Sequence, residues 1–221
     1  MEADAAPAAV AEVMRGFPAP WAVAGGWAMD LFLGHQIREH ADVDVAVFRA
    51  DQAAIRDHLR GWELRKVVGG GMLPWRDGEW LALPIHEVHA TRDGDPRALE
   101  LLLNERDGDR WLFRRDPRIS LPLSRAILRA ADGIPFFAPE IVLLYKSKQP
   151  REHDERDFAA VLAAMDAEQR AWLRDALEIT QPGHPWLALT DEFGGLKPTA
   201  GTSGSPPSRT PAEASARRAQ P

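Results

Sequence analysis

The chain has 221 residues with a hydrophobic fraction of 45%, enough for one large globular domain or two small ones. It contains no cysteine, which excludes disulfides and cysteine-ligated zinc, and its net charge of −6 argues against a general nucleic-acid binder and suits a small cationic substrate. The opening MEADAAPAAV lacks the basic segment of a signal peptide, and no apolar run approaches the roughly 18 residues of a membrane helix, so a cytoplasmic protein without membrane contact is expected.

Residues 5–15 predict a helix with Val10, Val13 and Met14 inward. GFPAP is a turn, and residues 21–24 predict a short strand. Gly25 and Gly26 follow, then a helix over 27–33 that Gly34 ends, since glycine adopts positive φ freely. The next strand carries Asp42 and Asp44 around Val43. Alternate residues of a strand share a face, so the two aspartates point one way and Val43, Val45 and Val47 the other. Adjacent carboxylates repel unless a cation lies between them, and hard oxygen ligands of this kind suit Mg²⁺. Glycines between a strand and a helix leave backbone N–H groups facing an anion and let a phosphate approach closely. Together these features predict a site for a nucleoside triphosphate with its magnesium.

GGWAMDLFLG followed by REHADVDVAV resembles the nucleotidyltransferase superfamily, whose pattern is a strand, Gly-Gly or Gly-Ser, a helix, then Asp-x-Asp on the next strand. The Gly-Gly-Trp-Ala, the Leu-Gly and the Arg-x-His-x-Asp-x-Asp order are closest to the branch of aminoglycoside 2″-adenylyltransferases and lincosamide-modifying enzymes. That resemblance implies ATP as nucleotide, Mg²⁺ on Asp42 and Asp44, and phosphates held at Gly25 and Gly26. It also implies a third carboxylate on a later strand and a lysine on a helix of a second domain that reaches the triphosphate.

In the loop 35–41, Arg38 either serves a phosphate or pins a carboxylate, and it is placed with the nucleotide-binding residues. His40 reads as a supporting histidine, and Asp30 as either a helix-dipole acid or a further site acid. Asp51 is expected to cap a helix running to Leu59, and a strand follows over 62–68. Gly69 to Gly71 reads as a flexible loop, because Pro74 stops a helix behind it. Residues 80–89 predict a strand on which His86, Glu87 and His89 lack the spacing of a helical zinc motif. Residues 99–103 form a leucine-rich strand with one charge, Glu100, and a charge in such a run needs a partner. Glu100 is therefore the candidate third acid, metal ligand or general base, with Glu105 as competitor and Asn104 on the same face. Arg114, Arg115 and Arg118 read as a solvated turn.

Pro139 and Glu140 open a helix containing LLYKSK, where Lys146 is the candidate triphosphate lysine ahead of Lys148. The next helix starts at His153 or Asp154, with Asp154 and Asp157 as cap and first-turn acids. Asp166 and Gln169 fit a capping box for a helix over 167–179. From Lys197 onward Gly, Ser, Pro and Thr replace large apolar residues, too few to bury a core.

The expected fold is α/β. A mixed sheet with flanking helices occupies residues 1–118, a small helical domain 119–190 and a disordered tail 191–221. The expected function is Mg²⁺-dependent transfer of AMP from ATP to a hydroxyl of a small molecule, with an aminoglycoside-type antibiotic indicated by the resemblance. A transferase acting on a protein or RNA, and a nucleotide-binding module without catalysis, are the alternatives.

Overall fold

A computed structural model describes residues 5–194, with side chains except at positions 5, 95–97 and 191–194. The elements in chain order are α1 (Ala5–Val13), β1 (Ala22–Val23), α2 (Gly25–Leu33), β2 (Asp44–Phe48), a 3₁₀ turn (Arg49–Asp51), α3 (Gln52–His58), β3 (Glu63–Val68) and β4 (Gly71–Pro74). There follow β5 (Glu87–Arg92), β6 (Asp95–Asp107), β7 (Arg110–Leu112), β8 (Ser120–Pro122), α4 (Leu123–Ala126), β9 (Ile127–Arg129), β10 (Pro135–Phe137), α5 (Pro139–Lys146), α6 (Glu152–Ala164), α7 (Ala167–Thr180) and α8 (Trp186–Gly194).

The sheet runs β4-β3-β5-β6-β2-β1-β10-β9, with β7 and β8 continuing from the far end of β6. It is mixed: β2 lies parallel to β6 and β1 parallel to β10, while the other pairs are antiparallel. Val45, Ala46, Val47 and Phe48 of β2 are all buried, as befits a central strand covered on both faces. Helix α2 packs against α5, α6 and β10, which brings the glycine turn and the C-terminal helices together.

Several expectations need correction. The sheet does not end at residue 118, because β9 and β10 extend its far edge. β9 is too short to give a periodic signal, and β10 lies within residues 134–137, which read as a short strand or extended segment but not as part of this sheet. The strand expected over 80–89 begins only at Glu87, and residues 80–86 are a loop whose Leu81 carbonyl accepts from buried Arg49. Asp51 makes no cap bond; its carboxylate accepts instead from Arg106 at 2.9 and 3.2 Å. Gly69 and Gly70, at φ +59° and +81°, form the tight turn of the β3–β4 hairpin rather than a flexible loop. Helix α8 runs past 190, and residues 195–221 of the expected tail lie outside the described residues. Among the described residues no helix is long and apolar enough to cross a membrane.

Other local readings hold. Gly34 ends α2 at φ +74°. Pro139 opens α5, and the Asp166–Gln169 capping box is reciprocal, at 2.8 and 3.1 Å. Glu140 differs from its expected role as a dipole acid on a helix surface. It is 1% exposed and accepts a hydrogen bond from Gln169 Nε2 at 2.9 Å. Burial pushes its carboxyl up to about 7, so the neutral acid is the favoured folded form. An acid whose folded value lies above its unfolded one costs stability as pH rises through that window. Glu140→Gln is therefore expected to raise stability above pH 7 by on the order of 2 kcal/mol, with no gain below about pH 4. Thermal melts of both proteins across pH check this.

Candidate active site

A cleft of about 820 Å³ lies between the sheet and the C-terminal helices. Gly25 and Gly26 line it at the start of α2, as do Asp42 just before β2, Asp44 at its start, and Leu102 and Asn104 of β6. Tyr145 and Lys146 of α5, with Arg151 and Asp154 at the start of α6, form the facing wall.

The sheet register creates the acidic end. Asp44 pairs with Glu100 across the parallel β2–β6 ladder, and His89 pairs with Glu100 across the antiparallel β5–β6 ladder. Residues paired in register share a face, so three strands present Asp44, Glu100 and His89 side by side. Glu87 lies on that face too, and His89 Nε2 sits 2.8 Å from Glu87 Oε1. Potential ligand atoms of Glu87, His89 and Glu100 lie within 4.8 Å of one another. Burial, then the charge of Asp42, pushes the Asp44 carboxyl up to about 6. Burial, then Asp44 and Glu87, pushes Glu100 up to about 7. Carboxylates held this way repel one another, an arrangement that a hard divalent cation would relieve.

Asp42 is not on the strand. β2 begins at Asp44, where pairing with β6 starts, and Asp42 is exposed in the bend just before it. It still lines the cleft and adds charge beside Asp44. Glu105 is committed elsewhere, accepting from buried Arg49 at 2.6 Å, whereas Glu100 stands beside Asp44.

The glycine pair is sterically required. A Cβ on Gly25, at φ +57°, would collide with the Asp44 carboxylate, and one on Gly26 with His40 and Arg38. The turn thus lets the acid strand and the loop carrying Arg38 close onto the start of α2. That loop is anchored by Asp30, which accepts from Ile37 N–H at 3.1 Å and pairs with His40 Nε2 at 2.6 Å. Asp30 therefore supports the loop and does not line the cleft.

Arg38 and Lys146 both line the cleft, and both are tied to α6. Arg38 donates twice to Asp157, at 3.0 and 3.1 Å. Lys146 donates to Asp157 at 3.1 Å and also to Asp154. Asp154 keeps its helix-start role, accepting from Arg151 N–H at 2.9 Å, but Asp157 is more than a first-turn acid. It joins α2's following loop, α5 and α6 through two cations. Burial would raise its carboxyl, yet Arg38 and Lys146 outweigh this and hold it below the usual range.

Sequence reasoning did not find Glu87, His89, Asp157, Arg114 or Arg115. The first two carried a signal, because alternation places them on one face and the Asp93-Gly94 turn folds that face back onto Glu100. Arg114 and Arg115 sit in the expected turn, but both line the cleft.

Residues 8–69, which span both glycines and both aspartates, match the profile of the family described as aminoglycoside-2″-adenylyltransferase. The chain resembles the aminoglycoside and lincosamide branch of the nucleotidyltransferases. No curated protein matches it in sequence. Two solved structures share the fold at 16% identity each. One is the solution structure of the antibiotic-resistance factor ANT(2″)-Ia, with a TM-score of 0.50, covering 86% of this chain and 94% of that one. The other is the lincomycin-bound crystal structure of the lincosamide antibiotic adenylyltransferase LnuA, with a TM-score of 0.52, covering 73% and 98%. The architecture is therefore nucleotidyltransferase-like, a mixed sheet flanked by helices, and the matched profile covers the part of it that holds the glycine turn and Asp44.

Proposed function

We propose that this chain is a Mg²⁺-dependent nucleotidyltransferase that moves AMP from ATP to a hydroxyl of a small molecule, with antibiotics of the aminoglycoside or lincosamide type as the acceptor class. The observation that carries this reading is Asp44, which lines one cleft with Gly25 and Gly26 and pairs in register with Glu100 on the neighbouring strand. The profile match supports the acceptor class, and so do the names of the two similar structures.

Gly25 and Gly26 would present backbone N–H groups to the β- and γ-phosphates, as a helix start does for anions. Asp42 and Asp44 would hold Mg²⁺, with Glu100 beside them as a further ligand. Bound Mg²⁺ supplies charge neutralisation at the α-phosphate and the departing pyrophosphate. In its other role the ionised form of Glu100, whose carboxyl burial and Asp44 push up to about 7, would take the proton from the acceptor hydroxyl. The hydroxyl oxygen then bonds to the α-phosphorus as the bond to the bridging oxygen breaks, and pyrophosphate leaves. Arg38 beside Gly26 and Lys146 from the facing wall, both positioned by Asp157, would offer positive charge to the phosphates.

A pyrophosphate-release screen with ATP and Mg²⁺ over aminoglycosides and lincosamides tests this, paired with resistance assays in a sensitive host. The expected result is acceptor-dependent, Mg²⁺-dependent release and raised resistance to the same compound. No release with any compound of either class would reject the reading.

A further inference from the structure

The cleft has a second charged end. Asn104 pairs with Phe48 in the ladder where Glu100 pairs with Asp44, so it stands four residues, or roughly 13 Å, along β6 from the acid cluster. Tyr145 Oη donates to Asn104 Oδ1 at 3.3 Å. Over the Tyr145 ring lie two guanidinium groups, Arg114 at 5.7 Å and Arg115 at 5.3 Å from its centroid.

These arginines are neighbours of like charge, both line the cleft, and neither is paired with a carboxylate among the described residues. The adjacent acids are taken: Asp116 binds Arg118, and Glu105 binds Arg49. Arg115 Nη1 donates to the Tyr145 carbonyl at 3.1 Å, which leaves further donors free. The turn that bears them is closed by Phe113 N–H to Ile119 O at 2.9 Å and anchored by buried Phe113 and Ile119. His86, also at this end, is held below its usual value by burial first and by both arginines, so the neutral imidazole is favoured and it adds no further cation.

We propose that Arg114 and Arg115 form an anion-binding subsite at the end of the cleft remote from Asp44, for a phosphate or carboxylate group of a molecule bound in the cleft. Planar guanidinium pairs bind such groups through parallel hydrogen bonds, and the closed turn holds the donors in place beforehand. The cleft is then bipolar, and a polycationic part of any acceptor belongs near Asp42 and Asp44, away from this end. The assignment rests on the nucleotidyltransferase reading only for what carries the anion.

The direct test is a titration of inorganic phosphate followed by backbone amide NMR shifts. Saturable shifts at residues 114 and 115 are expected, and shifts confined to Gly25 and Gly26 would overturn the subsite whether or not the chain transfers nucleotides. Arg114→Ala with Arg115→Ala then identifies the carrier. A tenfold or greater weakening of MgATP assigns the nucleotide; unchanged MgATP affinity with about a tenfold higher acceptor KM and little change in kcat assigns the acceptor. No change in either quantity overturns the proposal, as does an equal effect from Arg118→Ala, whose charge is paired with Asp116 outside the cleft. Arg115→Lys, which keeps the charge, is expected to retain part of the binding and guards against a folding artefact.

Discussion

Asp44→Asn is expected to lower turnover by roughly a thousandfold while making the metal-free protein more stable. The two effects share one cause. Asp44 is largely buried beside Asp42, Glu87 and Glu100, and its charged form is disfavoured by burial first, then by Asp42 and Glu87, against the opposing pull of Lys146. With no cation to offset it, that charge costs the folded state on the order of 2 kcal/mol above pH 6, and asparagine removes the cost. For a chain of this size such a gain raises the melting temperature by about 4 to 8 °C. Added Mg²⁺ is expected to narrow the difference, because it stabilises only the protein that binds it. Thermal melts in chelator and in Mg²⁺, beside a turnover assay, measure both effects. A variant less stable than the parent in chelator would show that Asp44 is an ordinary structural acid.

Asp157→Ala is expected to have the opposite signature, a large loss of stability of about 3 to 5 kcal/mol at neutral pH. Asp157 is 1% exposed and is the shared acceptor for Arg38 and Lys146. Its removal leaves Arg38, in the loop after α2, without its bidentate partner, and Lys146 of α5 with Asp154 as its remaining acid. The sign of the pH dependence follows from the direction of its shift. Burial works against the charged form, but Arg38 and Lys146 prevail and depress the carboxyl below the usual range. The stabilisation is therefore fully present above the unfolded value, near pH 4, and is lost as pH falls through the folded value. Denaturant melts of parent and variant are expected to differ most at neutral pH and to converge in acid. In a cycle with Arg38→Ala, the two substitutions are expected to be non-additive by at least about 1 kcal/mol. Additive effects would mean that the bidentate contact carries no net stability.

The parts legible in the sequence were those fixed by local rules. A glycine pair between an apolar strand and a helix, a φ-permissive Gly34, Pro139 at a helix start and the Asp166–Gln169 box all act within a few residues, and all stand as read. Glu100 was legible because a lone charge in a leucine strand demands an explanation, and the register with Asp44 supplies one. What was not legible depends on distant pairing. Arg38 and Asp157 are 119 positions apart, so neither could name the other as partner. Lys146 was read as a free triphosphate lysine, and its two aspartates emerge only when α5 and α6 pack. Arg114 and Arg115 were read as solvated because turn composition reports exposure and cannot report which cleft the turn faces. The strands β8 and β9 have three residues each, too short for period-two alternation to register, whereas β10 falls within the short strand or extended segment that residues 134–137 suggest after the Asp132-Gly133 turn.

Isothermal calorimetry of ATP with and without Mg²⁺, on the parent and on Asp44→Asn, bears most directly on the claim that these carboxylates clamp a divalent ion against a nucleotide. The prediction is heat of binding in the parent that depends on Mg²⁺ and is lost in the variant. ATP uptake that is absent under both conditions, or that is unchanged by Mg²⁺ and by the substitution, would contradict it.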